Sequence, residues 1–337
     1  MDVKPTRKKL NILPENREPS PPERAVGPGR FPSYLHRRLP NNNTLWKTQE
    51  VLSALRLPTV CEEAKCPNLM ECWSKKTATF LAMGKTCTRS CGFCDIGFSK
   101  NPPALEEDEP HRISESVRRL GLRHVVITMV ARDDLADGGA SQLVKIISEV
   151  RKNNEGITIE ILTSDFNGNG DALKMVLEAK PEIFNHNIET VRSLTPRVRH
   201  RATYERTLSL LQQASQLSQE SWVKSGLMVG LGETEEEVHE TLRDLKQVGC
   251  QIVTIGHYLQ PNRHKLTVKS FITPAQFEAF ASFGHSIGIE HIYAGPFVRS
   301  SYNAGSLFEK LPLRSFSLHE SERGDQDATI ATKTNSK

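Results

Sequence analysis

Apolar residues recur along this chain at two spacings, and the alternation between them predicts most of its architecture. Short β-rich runs fall at 77–83 (TATFLAM), 124–130 (HVVITMV), 158–164 (TIEILTS), 182–188 (EIFNHNI), 223–231 (VKSGLMVGL) and 251–259 (QIVTIGHYL). Helical spacing occupies 113–122, 141–153, 170–180, 204–217, 234–248 and 274–287. Six strands alternating with six helices predict a parallel sheet with right-handed crossovers. Six units are too few to close an eight-stranded barrel, so the expected fold is α/β, an open, partial (β/α)6 barrel of TIM type. Thr234 with Glu237, and Thr273-Pro274 with Gln276, form capping boxes at two helix starts. Glu235, Glu236 and Glu237 read as ordinary first-turn acids, favoured there by the helix dipole.

The pattern fades at both ends. Residues 1–30 are rich in Pro, Lys, Arg and Glu without apolar periodicity, so disorder is expected. A transit peptide is the competing reading; Asp2, Glu15, Glu18 and Glu23 disfavour it, and the apolar core of a secretory signal is missing. Leu45 to Leu57 carries near-helical spacing, predicting a short helix in an N-terminal layer over the barrel mouth. The expected organisation is a tail at 1–30, an N-terminal extension at 31–76, a barrel core at 77–290, a C-terminal segment at 291–313 and a polar, disordered tail at 314–337.

Composition narrows the class. The chain has 337 residues, 37% of them hydrophobic, enough to bury a substantial core. No apolar run reaches membrane-spanning length, so no membrane association and a cytoplasmic location are expected. With 44 basic against 40 acidic residues, the net charge of +4 gives no reason to expect nucleic acid, although a local patch can meet an acidic protein partner.

Six of the seven cysteines lie between Cys61 and Cys94, in two trios. Cys61, Cys66 and Cys72 read C-x4-C-x5-C in CEEAKCPNLMEC, and Cys87, Cys91 and Cys94 read C-x3-C-x2-C in CTRSCGFC. Thiolates so dense call for a soft metal partner, and three from one loop can fix three irons of a cubane. Zinc is the lesser reading, because paired C-x2-C units or nearby histidines are missing, and disulfides are disfavoured without a secretory signal. Cys250 stands alone and reads as a small buried residue.

The second trio, with Phe93 before its last thiol, resembles the signature of the radical S-adenosylmethionine (SAM) superfamily. The first trio together with Arg299-Ser300-Ser301-Tyr302 resembles one family within it, lipoyl synthase, and the similarity runs from about Pro32 to Leu313. The resemblance implies the partial barrel and two [4Fe-4S] clusters. Cys87, Cys91 and Cys94 would hold the cluster that binds and cleaves SAM, yielding methionine and a 5′-deoxyadenosyl radical. Cys61, Cys66 and Cys72 would hold an auxiliary cluster whose fourth ligand is a serine; Ser301 is preferred and Ser300 the alternate, since neighbours in an extended segment point to opposite sides. Serine oxygen is a harder, more labile iron ligand than thiolate, which suits a cluster that is dismantled as sulfur donor. The implied reaction inserts two sulfur atoms at carbons 6 and 8 of an octanoyl chain on a carrier lysine. The implied partners are octanoylated lipoyl carrier domains, namely those of 2-oxoacid dehydrogenases and the glycine cleavage H protein, with ferredoxin or flavodoxin as electron donor and an iron–sulfur carrier protein.

The same resemblance suggests a SAM pocket at the strand ends. Gly138 and Gly139 in ARDDLADGGA, beside Arg132, Asp133 and Asp134, would let backbone approach the methionine end; a turn with solvated charges is the alternative. Asn185, Asn187 and Glu189 in NHNIET would hydrogen-bond SAM. Gly226, Gly230 and Glu233 resemble an adenine-contacting strand, against the alternative of glycines that merely permit close packing. Arg299 would neutralise charge near the cluster or hold the tail, and His186, His257 and His264 read as structural or substrate-lining. A different radical enzyme such as a methylthiotransferase, and a non-enzymatic zinc module, are the rival functions.

Overall fold

A computed structural model describes residues 32–36, 44–218, 220–302 and 304; the tails expected at 1–30 and 314–337 lie outside these. The six expected strands form where predicted, each shorter than its predicted run: β1 (Thr79–Ala82), β2 (His124–Met129), β3 (Thr158–Leu162), β4 (Ile183–Asn185), β5 (Trp222–Val229) and β6 (Ile252–His257). A seventh, β7 (His291–Gly295), occupies part of the expected C-terminal segment, so the count of six falls one short. Its HIYAG sequence is brief and lacks a following helical repeat, which hides it from periodicity.

The strands pair in parallel and in chain order, from β1 at one end to β7 at the other. Among the described residues β1 and β7 do not pair with each other, which leaves the barrel open. Phe80, Val125, Ile127, Ile159, Ile161, Phe184, Val253 and Ile255 are fully buried, as expected for parallel strands covered on both faces.

Helices α4 (Glu109–Leu120), α5 (Ala140–Asn153), α6 (Gly170–Glu178), α8 (Tyr204–Leu217), α9 (Glu235–Gln247) and α10 (Pro274–Ser286) supply the crossovers, with the single-turn α7 (Thr195–Val198) ahead of α8. Both capping boxes form, Thr234 with Glu237 and Thr273 with Gln276. In α9 the buried Val238, Leu242 and Leu245 repeat at helical spacing, which fixes the face that packs inward.

The N-terminal layer consists of α1 (Thr44–Ala54), α2 (Val60–Glu63) and α3 (Leu69–Ser74). The Thr48 hydroxyl donates to the Trp73 carbonyl at 2.9 Å, joining α1 to α3. Leu81 N–H donates to Pro58 O at 3.0 Å, and Thr59 bridges Phe80 antiparallel, so this layer also covers the edge of β1. The short 3-10 turn Ser33–Leu35 belongs to a separate unit ending at Arg38.

Gly138 and Gly139 start α5. Gly139 has φ +93°, and a Cβ there would collide with the Met83 sulfur. Gly139→Ala is therefore expected to destabilise the fold by about 2–4 kcal/mol in denaturant unfolding, from backbone strain plus overpacking.

Candidate active site

The loop after β1 carries the second trio at the carboxyl end of the sheet, where parallel α/β folds place their ligands. A two-residue parallel ladder, Thr86–Cys87 against Gly97–Phe98, closes this loop at its base. Gly92 N–H donates to Val198 O at 2.9 Å, and Leu266 N–H donates to Gly92 O at 3.0 Å, tying the loop's tip on both sides. Thr88 donates from its N–H and its hydroxyl to Ala131 O. The thiols are thus held by backbone that is itself held.

Arg89, which lies between two of the cysteines and escaped the sequence reading, is 7% exposed. Its guanidinium makes a two-pronged contact with Asp133, 2.7 and 2.9 Å, and donates to Asp165 at 2.6 Å. Burial pulls Arg89 down, but both carboxylates more than reverse this and keep it charged. Burial pushes Asp165 up, and Arg89 outweighs it, leaving Asp165 at about 2. Because that value lies below the ordinary carboxylate range, the pair's stabilisation is present above about pH 4 and fades as pH falls toward 2. Arg89→Ala removes the buried partner of both carboxylates and leaves them only the longer contacts with Arg206 at 3.3 Å and Arg201 at 3.5 Å, and is expected to cost about 2–4 kcal/mol in chemical denaturation at neutral pH. In Asp165→Asn the loss of stability between pH 4 and 2 should be smaller than in the unaltered chain.

A cavity of about 450 Å³ lies above these strand ends, lined by Cys87, Cys91 and Cys94 and, from the N-terminal layer, by Cys66. Burial raises the Cys91 thiol to about 11 and Cys94 to about 12, and ionisation of neighbouring thiols in the same trio adds to both. Burial likewise raises Cys61 to about 11 and Cys72 to about 12, each further raised by thiols of the first trio. Each trio is therefore an electrostatic unit whose thiolates repel one another. Multiple positive irons would relieve that repulsion, so the donor chemistry fits the expected clusters. Among the described residues no three His, Cys, Asp or Glu side chains close to single-ion spacing; a cubane instead places each thiolate on its own iron. Arg89 N–H points at the Cys87 sulfur at 3.3 Å, a donor suited to a thiolate.

The other expected site residues divide. Asn187 and Glu189 line the cavity, and Asn187 Nδ2 donates to Glu189 Oε1 at 3.1 Å. Glu189 adopts φ +68° and bridges Leu227, extending the β4–β5 pairing past the end of β4. Burial raises its carboxyl, with Arg199 and Asn187 opposing. Asn185 points below the cavity and donates to Glu160 Oε1 at 3.0 Å. Gly138 and Gly139 pack on Phe166 and Met83 and are not among the cavity's lining residues. Gly230, with φ +99°, is also outside the lining; it abuts His257, and its N–H donates to Glu233, whose carboxylate caps the turn after β5.

Arg132 pairs with Asp134, and Asp133 with Arg89, so the three charges of that loop form ion pairs. His186 is buried, donates from Nδ1–H to Thr163 O at 2.9 Å, and is lowered to about 4 by burial and by Arg199. Arg199, unpredicted from the sequence, donates to Asn187 O at 2.5 Å and Thr207 Oγ1 at 2.6 Å, fixing the β4 exit. Cys250 is buried away from both trios, as expected.

Ser300 and Ser301 both line the cavity, but they are held differently. The Ser300 hydroxyl donates to Asn187 Oδ1 at 2.7 Å. Among the described residues the Ser301 hydroxyl makes no hydrogen bond.

No helix among the described residues is long and apolar enough to cross a membrane. Residues 81–245 match the model of the Radical SAM superfamily. The chain is 66% identical over 306 residues to a lipoyl synthase of Protochlamydia amoebophila, covering 90% of this chain and 94% of that one. It is 50% identical over 297 residues to a lipoyl synthase of Chlamydia muridarum, covering 88% and 96%. In fold it resembles the FeFe-hydrogenase maturase HydG from Carboxydothermus hydrogenoformans, with TM-score 0.50 and 13% identity over 79% of this chain and 69% of that one. With two cysteine trios at the mouth of an open parallel barrel and relatives this similar over nearly their whole length, the chain belongs to the lipoyl synthase family of radical SAM enzymes.

Proposed function

We propose that the chain inserts sulfur at carbons 6 and 8 of an octanoyl-lysine borne by a carrier domain. The observation that carries this reading is the convergence on one cavity of the second trio, Cys66 of the first trio, and Ser301 from the far end of the chain. Cys87, Cys91 and Cys94 would hold the SAM-binding [4Fe-4S] cluster, and Cys61, Cys66, Cys72 and Ser301 the auxiliary one. When bound, these groups and SAM supply the electron, the hydrogen-abstracting radical and the sulfur.

The chain's own residues supply containment and orientation. Leu81, Met129, Val130, Leu162 and Met228 on the cavity wall give an alkyl chain an apolar surface and exclude water from a reactive centre. Asn187 and Glu189 present an amide and a carboxylate to the polar groups of SAM. Arg89 and Arg199, both buried and multiply bonded, keep the trio loop and the β4 exit fixed. An aliphatic C–H bond offers no acid or base handle, so no general acid–base residue is assigned.

The substrate of this reading is an octanoylated lipoyl domain or glycine cleavage H protein, the reductant a ferredoxin or flavodoxin, and the supplier of new clusters an iron–sulfur carrier protein, all in the cytoplasm. The test is anaerobic: protein reconstituted with iron and sulfide is given SAM, reductant and an octanoyl-lysyl peptide, and the peptide is followed by mass spectrometry. Gain of two sulfur atoms with formation of 5′-deoxyadenosine supports the reading. Formation of 5′-deoxyadenosine with no sulfur gain would refute this substrate.

A further inference from the structure

Below the cavity the barrel encloses a charge cluster that sulfur insertion does not call for. Lys224, the third residue of β5, is 1% exposed, and Glu160 on β3 is fully buried. Lys224 Nζ donates to Glu160 Oε1 at 2.8 Å, and His124 Nε2 lies 3.6 Å from Oε2. Burial pushes Glu160 up, but Lys224 and His124 outweigh it and leave the carboxyl at about 2. A buried ion pair is a poor device for stability, because desolvation offsets most of the attraction and apolar replacements are often as stable. Such a pair inside an apolar barrel therefore calls for another explanation.

The explanation lies in where the ammonium's other hydrogen bond goes. Lys224 Nζ also donates to the Ser300 carbonyl, at 2.6 Å. Around this contact the segment 297–302 is fastened at several points. Asn68 Nδ2 donates to Phe297 O at 2.8 Å, and the Tyr302 hydroxyl donates to Glu71 at 3.0 Å, both from the layer that carries the first trio. On the barrel side two strand glycines make room for the segment. A Cβ on Gly256 would collide with Val298 O, and one on Gly226 would stand 2.9 Å from the Ser300 hydroxyl.

We propose that Lys224 is a positioning residue for the serine ligand: charged and held by Glu160, it fixes the Ser300 peptide so that Ser301 faces the first trio. This rests on the reading of Ser301 as a ligand of the auxiliary cluster. An ammonium suits the task because a charge-assisted bond to a carbonyl is stronger than a neutral one, and burial shields it from competing water.

Lys224→Met alone would strand the Glu160 charge, so the test uses the neutral pair Glu160→Gln/Lys224→Met. In the full chain without clusters, amide exchange at 298–302 should quicken about tenfold while β3 and β5 keep their protection. After reconstitution, SAM cleavage should stay within about twofold and sulfur insertion should fall about tenfold or more. A folded double variant with unchanged exchange at 298–302 overturns the anchoring, and parallel loss of cleavage and insertion overturns the positioning role. Should that variant not fold, Glu160→Gln/Lys224→Leu, which also removes the donor, is measured and judged in the same way. If the unaltered chain inserts no sulfur, the proposed function fails, and the exchange measurement still decides whether Lys224 anchors the segment.

Discussion

Alanine at Cys91 is expected to reduce SAM cleavage to background, whereas alanine at Cys66 should leave cleavage measurable and remove sulfur insertion. The division follows from electrostatics and position. Cys91 is coupled to Cys87, and Cys94 to both, within a loop closed by the Thr86–Cys87 ladder. Cys66 sits in the other trio, where its charge helps raise the thiols of Cys61 and Cys72, on a layer packed along β1. Losing one of three thiolates exposes an iron and releases or degrades one cluster, while the other trio keeps its full donor set. The readouts are 5′-deoxyadenosine and the mass of an octanoyl-lysyl peptide. Equal loss of both products in the two variants would mean that the trios do not act separately.

The second large effect concerns the two serines. Ser301→Ala is expected to lower sulfur insertion by roughly 10–100-fold or more, since even loss of a group that only supports a metal ligand costs about that much, with SAM cleavage preserved. Ser300→Ala removes only a hydrogen bond to Asn187 and should cost a factor of about 2–10. Ser301→Cys separates ligation from packing: thiolate is the softer, tighter ligand for iron, so iron content should be retained while insertion falls. If Ser300→Ala proves the more damaging change, the ligand has been assigned to the wrong residue of the pair.

How much of this was legible in the sequence depended on the kind of signal. Strands β1 to β6 announced themselves because parallel strands are apolar on both faces, and the helices because one face must be apolar and the caps are local. The cysteines were legible from spacing alone. Gly226 was visible as a special position, but the sequence could not say that its missing side chain makes room for Ser300, a residue more than seventy positions away. Lys224 and Glu160 were visible only as charges interrupting VKSGLMV and TIEIL, and a strand charge reads as solvent-facing until the tertiary partner is known. Arg89 and Asp165 escaped for the same reason, since they meet across 76 positions, whereas Arg199 bonds residues within about a dozen positions whose irregular loop carries no periodic signal. Gly138, Gly139 and Gly230 illustrate the converse, since glycine marks a backbone need, here positive φ and close neighbours, without saying whether a ligand shares it.

The measurement that bears most directly on the division between the two trios is a single-turnover experiment with isotopically heavy sulfide. The protein is reconstituted with iron and heavy sulfide, freed of excess, and given SAM, reductant and octanoyl-lysyl peptide in buffer containing ordinary sulfide. Two heavy sulfur atoms in the peptide, and none when Cys66 is alanine, are the predicted result. Ordinary sulfur in the product, or heavy sulfur inserted by the Cys66→Ala variant, would contradict the assignment of the first trio as the source.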